Sequence, residues 1–321
     1  MEEVLKDPNV MGYAYTYFKK KGGVLYRLDK PVVVFFVKKK LPPEAVPKDR
    51  LIPRTVKIGG VEYVTDVEEV AQPSAFFNGT QPAPPGVQTG RFRPVIAGVS
   101  AAAATSTACT IGGMFKDEYT GQEVIVTCAH CTGRMDFVCE LSSTVGNAYL
   151  QPSPVDGGAY PGDVVGRVSW ASTLGSTEVE LDVAKILPNP GVELENIVAS
   201  LNVPIRGYYF ASPTDVGLTV YKSGRTTGVT RGFLYALGGV VKVNYGACGT
   251  SIVKGAIVTS RLIERGDSGA PVITPDGGLV GIAFATSDSY SFLMPASKLA
   301  SLGLTPVVRP RPPVQYQLEI V

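Results

Sequence analysis

The chain is poor in imidazole and indole: 321 residues hold one histidine, His130, and one tryptophan. It contains no run of 18 or more apolar residues, so no membrane-spanning helix is predicted. It has no excess of either charge. The 30 Lys and Arg nearly balance 28 Asp and Glu, for a formal net charge of +2, which argues against bulk affinity for nucleic acid. The first residues, MEEVLKDPNV, lack the basic segment and apolar run of a secretory signal. Cysteine is sparse too. Five residues allow at most two disulfides and leave at least one thiol, which fits an intracellular protein better than a disulfide-framed secreted one. What is abundant is glycine (36), proline (25) and hydrophobic residues (45%). That mixture predicts many short strands joined by turns. The length predicts more than one domain.

Residues 1–72 read as a small β-rich or α+β N-terminal module. GYAYTYF, KKKGG and VLYRL predict a hairpin of aromatic strands; PVVVFFVKKK predicts a further strand, and KIGGVEYVTDVEEV a hairpin turning at Gly59-Gly60. Residues 1–56 hold 12 Lys and Arg against 6 Asp and Glu, read as solvated strand ends and turns. Residues 73–95 form a Pro/Gly-rich linker with no apolar period. Short strands then recur to about residue 305, predicting antiparallel β-barrels or sandwiches, and SKLASLGL has helical period. Residues 306–321 read as an extended tail that could add as a strand to this or another subunit. A homo-oligomer through the front module or the tail is therefore expected.

Two readings compete for His130, which stands in VTCAHC between Cys128 and Cys131: metal ligand or general base. The stretch GDSGAP, Gly266 to Pro271, weighs on the choice. A serine framed by glycines sits in a tight turn with its hydroxyl projecting, and glycine lets backbone N–H groups converge on one point. The N–H groups of Gly266 and Ser268 are candidates for an oxyanion hole. Ser268 needs a base, and the chain offers only His130. The imidazole in turn needs a carboxylate to fix its tautomer. LDVAKI supplies Asp182 at a strand end, on the side of Ala184 and Ile186, with Asp163 and Glu180 as alternatives. A zinc site built on Cys128, Cys131, Cys139 and His130 lacks a second paired spacing, so no metal or other cofactor is expected.

VTCAHC, LDVAKI and GDSGAP, in that order, resemble the three catalytic segments of the chymotrypsin-like (trypsin-fold) serine proteases. RPVIAGVS, CTIGGMF, LQPSPVDGG, GDVVGRVSW and SGRTTGVTRG more loosely resemble the trypsin-like family of the plant narrow-leaf proteins and their prokaryotic relatives. The resemblance implies two antiparallel six-stranded β-barrels over residues 96–305, the first about 96–190 and the second about 215–305. It implies catalysis by His130, Asp182 and Ser268, with polypeptide as substrate. It places Leu262 to Arg265 along the primary side-chain pocket, and Phe284, Ala285 and Thr286 along the substrate backbone. Leu262 stands where trypsins carry an acid, so an apolar or small side chain is expected there. Cys109 and Cys131 look like the pair bridged in animal members; reduced, they would be small core residues. Cys128 and Cys139 read as core residues and Cys248 as a thiol. The family's secreted members pair the Asp of GDSG with a new N-terminal amine. Here Pro94 follows Arg93 and resists such a cut, so Asp267 needs another partner. Phe76 and Phe77 are possible self-cleavage points. The chain thus reads as a serine endopeptidase; the alternative is a catalytically inactive trypsin-fold module that binds peptides or supports assembly.

Overall fold

The computed structural model describes residues 1–75, 88–106, 108–133, 144–175 and 177–309. Two β-barrel-like sheets dominate. The second barrel closes on itself: Thr250–Ser260 pairs with Tyr290–Pro295, followed by Gly278–Thr286, Pro271–Ile273, Thr219–Gly224 and Gly228–Asn244, which returns to Thr250–Ser260. Its interior is filled by Val220, Leu234, Ile257, Leu262, Val272, Val280 and Leu293. The first barrel is built on an eight-stranded sheet. The short strand Cys109–Thr110 and the late strand Leu304–Pro306 extend it beyond the six expected. Leu304–Pro306 follows the one α-helix among the described residues, Ala296–Ser301, and pairs with Gly113–Asp117 of the first barrel.

The front strands join the second barrel directly. Val10–Lys21 pairs with Gly228–Asn244, so the sheet runs on through Val24–Val37, Val61–Glu69 and Thr55–Ile58. Gly12 makes the junction possible: a Cβ there would meet the Val240 carbonyl oxygen at 2.4 Å. Tyr290 Oη donates to Glu68 at 2.6 Å and Tyr235 Oη donates to its other oxygen. The two tyrosine rings stack at 4.6 Å.

VLYRL and PVVVFFV form one strand, Val24–Val37, not two. A register shift between Thr16 and Phe18 lets the pairing pass Asp29, Lys30 and Pro31. VTRGFLYAL and, as far as Asn244, VVKVNY, two of the short strands expected after the linker, likewise fall on one 17-residue strand, Gly228–Asn244. Gly238, at φ +60, sits within its irregular pairing and keeps the strand continuous through a bend. From Glu69 to Ala75 the chain stays against the body of the protein. Val70 is buried, and Ser74 forms β-bridges with both Asn244 and Thr286. No helix among the described residues is long and apolar enough to cross a membrane.

Candidate active site

His130 follows the strand Glu123–Thr127, in a single 3-10 turn, Ala129–Cys131. Asp182 precedes the strand Ala184–Pro188, which pairs with Glu123–Thr127 through Ala184 and Thr127. That pairing fixes the two side chains relative to each other. Asp182 is fully buried; its Oδ2 lies 2.7 Å from His130 Nδ1, and its Oδ1 accepts the His130 backbone N–H at 3.1 Å. The two contacts orient the ring and leave Nε2 as the free nitrogen. Nε2 is buried and has no hydrogen-bond partner among the described residues. Tyr245 meets the imidazole edge-on at 6.3 Å. Burial, and then the charge of Asp182, raise the Tyr245 hydroxyl well above its ordinary pKa.

Ser268 stands on a loop of the second barrel that packs against Thr110 and Cys131. The GDSG loop docks on the strand Cys109–Thr110: Thr110 N–H donates to the Ser268 carbonyl at 2.8 Å and Thr110 Oγ1 donates to the Gly266 carbonyl at 3.0 Å. Cys131, next to His130, places its sulfur 3.8 Å from the Ser268 carbonyl oxygen. Cys131 is disulfide-bonded to Cys109 across 22 residues, so one bridge ties the histidine turn to the strand under the serine loop. Cys248, read as a thiol, is disulfide-bonded as well.

Glu264 to Asp267 form a turn in which the Asp267 N–H donates to the Glu264 carbonyl at 3.0 Å and Gly266 has φ +100. A positive φ at the third position is the type II form, which favours glycine. Thr226 Oγ1 donates to the Arg265 carbonyl at 2.8 Å. In a trans peptide the C=O and N–H point opposite ways, so the Gly266 N–H faces away from Thr226. Among the described residues, neither Gly266 N–H nor Ser268 N–H is taken up in a backbone hydrogen bond.

Asp267 finds its partner inside the second barrel. Lys222 Nζ donates to it at 3.1 Å, and both side chains are fully buried. The turn between Thr219–Gly224 and Gly228–Asn244 closes around the same carboxylate through Thr226 N–H (2.7 Å), Thr227 N–H (3.1 Å) and Thr227 Oγ1 (2.6 Å). Arg225, in that turn, makes a two-point ion pair with Asp156 of the first barrel, at 2.8 and 2.6 Å. Burial lowers the Lys222 pKa below the ordinary 10.5, and Asp267 opposes the shift.

Leu262 packs into the core of the second barrel, whereas the Arg265 side chain is exposed. Ser291 Oγ accepts the N–H groups of Leu262 and Ile263 at 2.9 and 3.1 Å, and Thr286 Oγ1 donates to the Ile263 carbonyl at 3.1 Å. Phe284 and Ala285 are buried on the strand leading to Thr286. The alternative acids stand elsewhere: Asp163 pairs with Arg91 at 2.9 Å, and the carbonyl of exposed Glu180 accepts from Lys298. Phe76, Phe77 and Cys139 lie outside the described residues, as does the tail beyond Arg309. Lys222, Thr226 and Ser74 were not read from sequence as site residues. The need for a partner to Asp267 was the one signal pointing toward Lys222.

Cys128, His130 and Asp182 offer donor atoms within 4.8 Å of one another. The set suits a metal poorly. Burial, and then the Asp182 charge, hold the Cys128 thiol well above its ordinary pKa, and its sulfur donates to the Ala283 carbonyl at 3.2 Å. A metal needs the thiolate.

The family described as Trypsin matches residues 94–299. The chain belongs to the trypsin family. Among solved structures it is similar to the chymotrypsin of Cellulomonas bogoriensis, with 23% identity and a TM-score of 0.47, over 67% of this chain and 99% of that one. Thermobifida fusca protease A gives 22% and 0.49, over 67% and 99%. A glutamic acid-specific serine protease gives 22% and 0.48, over 66% and 100%. No curated protein matches the sequence.

Proposed function

We propose that this trypsin-family chain is a serine endopeptidase that cleaves polypeptides through an acyl-enzyme, with Ser268 as nucleophile, His130 as base and Asp182 as orienting carboxylate. The observation carrying this reading is the pairing of His130 Nδ1 with buried Asp182, which leaves Nε2 free in a turn whose Cys131 contacts the serine loop. Ser268 Oγ attacks the scissile carbonyl while Nε2 takes its proton. The C–N bond then breaks, and His130 returns the proton to the leaving amine. Water, deprotonated by the same nitrogen, releases the new carboxylate and restores the serine. The Gly266 and Ser268 N–H groups are the donors for the oxyanion; one such donor contributes about 2.7–4 kcal/mol. Phe284 to Thr286 supply the edge on which substrate backbone lies, and the backbone of Leu262 to Arg265 the facing wall, with the Leu262 and Ile263 side chains turned into the barrel core. The Thr286–Ile263 hydrogen bond narrows the space between them, which favours small side chains.

One observation favours holding a peptide without cutting it: the Ser268 hydroxyl does not hydrogen-bond to Nε2. Hydrogen bonds of this kind often tighten only when substrate binds, so hydrolysis remains the conclusion. The test is hydrolysis of succinyl-Ala-Ala-Ala-p-nitroanilide by wild type, Ser268→Ala and His130→Ala. Turnover by the wild type and its loss in both variants is expected; equal release of nitroaniline by all three would contradict it.

A further inference from the structure

The strand Gly278–Thr286 has the strand Pro271–Ile273 on one side only as far as Ile282. Beyond it, Ala285 and Thr286 keep the strand Tyr290–Pro295 on the other side, and the first side opens. The opening begins beside the nucleophile loop, since Gly269 N–H donates to the Ala283 carbonyl at 2.7 Å and Ala283 N–H to the Ala270 carbonyl at 2.9 Å. A strand laid antiparallel on this edge runs from Thr286 back toward Ser268.

The chain's own segment lies there. Ser74 N–H donates to the Thr286 carbonyl at 2.9 Å, and Thr286 N–H donates to the Ser74 carbonyl at 3.1 Å. On the other side, Asn244 N–H donates to the Pro73 carbonyl at 2.8 Å and Ala75 N–H to the Asn244 carbonyl at 3.1 Å. The segment is thus held on both edges, antiparallel to Thr286 and parallel to Asn244. Its approach is pinned by Ala71 N–H on Asp288 (2.9 Å) and Gln72 Nε2 on Thr250 (3.1 Å), and Ala75 is buried. Its pairing with Thr286 and Asn244 runs through backbone groups, with the Ser74 hydroxyl also donating to the Asn244 carbonyl at 3.4 Å, so the slot suits an extended strand whose side chains fit.

We propose that the slot between Thr286 and Asn244 is the peptide-strand site of this enzyme, and that Pro73–Ala75 fills it in the resting molecule, so that an outside polypeptide binds by displacing that segment. The inference rests on the protease reading above. It adds that the occupant is tethered, and so competes at an effective concentration of roughly millimolar. A site filled nine-tenths of the time has its apparent affinity lowered about tenfold, with no change in the chemical step.

The test is Ser74→Pro, which removes the N–H given to Thr286, assayed with succinyl-Ala-Ala-Ala-p-nitroanilide and with a fluorophosphonate that labels Ser268. The expected result is a KM lowered by about fivefold to tenfold with kcat unchanged. An unchanged or raised KM in a variant whose Ser268 still labels overturns the inference and leaves the protease reading standing. Failure of both wild type and variant to label overturns both. Hydrogen exchange on Ser268→Ala gives an independent readout that needs no turnover. With bound peptide confirmed by calorimetry, the Ser74 amide should lose protection while the Thr286 amide keeps it. Protection of Ser74 unchanged under bound peptide makes the segment a structural strap and sinks the proposal.

Discussion

Thr226 holds the Arg265 carbonyl, and through that one bond sets which way the Gly266 N–H faces. A type II turn and its type I counterpart differ by a flip of this central peptide. Thr226→Val keeps the shape and removes the donor, so it frees the peptide to turn. The expected result is a kcat lowered by about tenfold to a hundredfold, with KM little changed and activity restored in Thr226→Ser; steady-state kinetics on the three proteins check it. The residues proposed as nucleophile, base and acid each stand in a short local pattern that a sequence displays: GDSGAP, VTCAHC, LDVAKI. Thr226 is not legible in that way. SGRTTG reads as a turn joining two strands, which it is, and nothing in its order reveals that a hydroxyl reaches a carbonyl 39 residues on. Ser74 was hidden for a different reason. Strand pairing uses backbone groups, and a Pro/Gly-rich stretch without apolar period carries no trace of them.

At the scale of elements, the hairpin of Thr219–Gly224 and Gly228–Asn244 is a clamp on Asp267, anchored to the first barrel through Arg225 and Asp156. Breaking a buried ion pair from one side leaves an uncompensated charge, so Lys222→Met should lower unfolding free energy by about 3–5 kcal/mol, measured by denaturant titration. The pair also predicts an alkaline limit. Because burial lowers the Lys222 pKa, the lysine loses its proton at a pH below the ordinary 10.5. The neutral amine no longer balances Asp267, which is then held only by neutral donors, those on Thr226 and Thr227 among them, and the GDSG loop is fixed less tightly. Activity should therefore fall as pH rises toward that value, and Lys222→Arg should move the fall to higher pH. A pH profile flat to 11 in folded protein would contradict it. Two elements were misread in the sequence. Asp29, Lys30 and Pro31 suggested a break within Val24–Val37, and Gly238-Gly239 one within Gly228–Asn244. In both, register shifts carry the strand past residues that looked like stops.

At the scale of the whole molecule, the first 69 residues continue the sheet of the second barrel, with Glu68 held by Tyr235 and Tyr290. Pairing between Tyr13 and Val240 joins positions too far apart in sequence for local patterning to reveal, whereas the barrels were expected from the recurring short strands and from the family resemblance of the motifs. Removing residues 1–69 exposes the edge of Gly228–Asn244, an open template for other chains. The truncated protein should aggregate, and light scattering against full-length protein checks it. Replacing Cys109 and Cys131 together by alanine releases a 22-residue loop and should cost about 3 kcal/mol of stability. All of this supports one arrangement, a serine loop from one barrel presented to a histidine from the other. The most direct measurement is the mass of the protein and of its Ser268 peptide after exposure to a fluorophosphonate. The account predicts one adduct, on Ser268, formed by the wild type and absent from His130→Ala and Ser268→Ala. A folded wild type that stays unmodified, or an adduct that forms equally without His130, would contradict it.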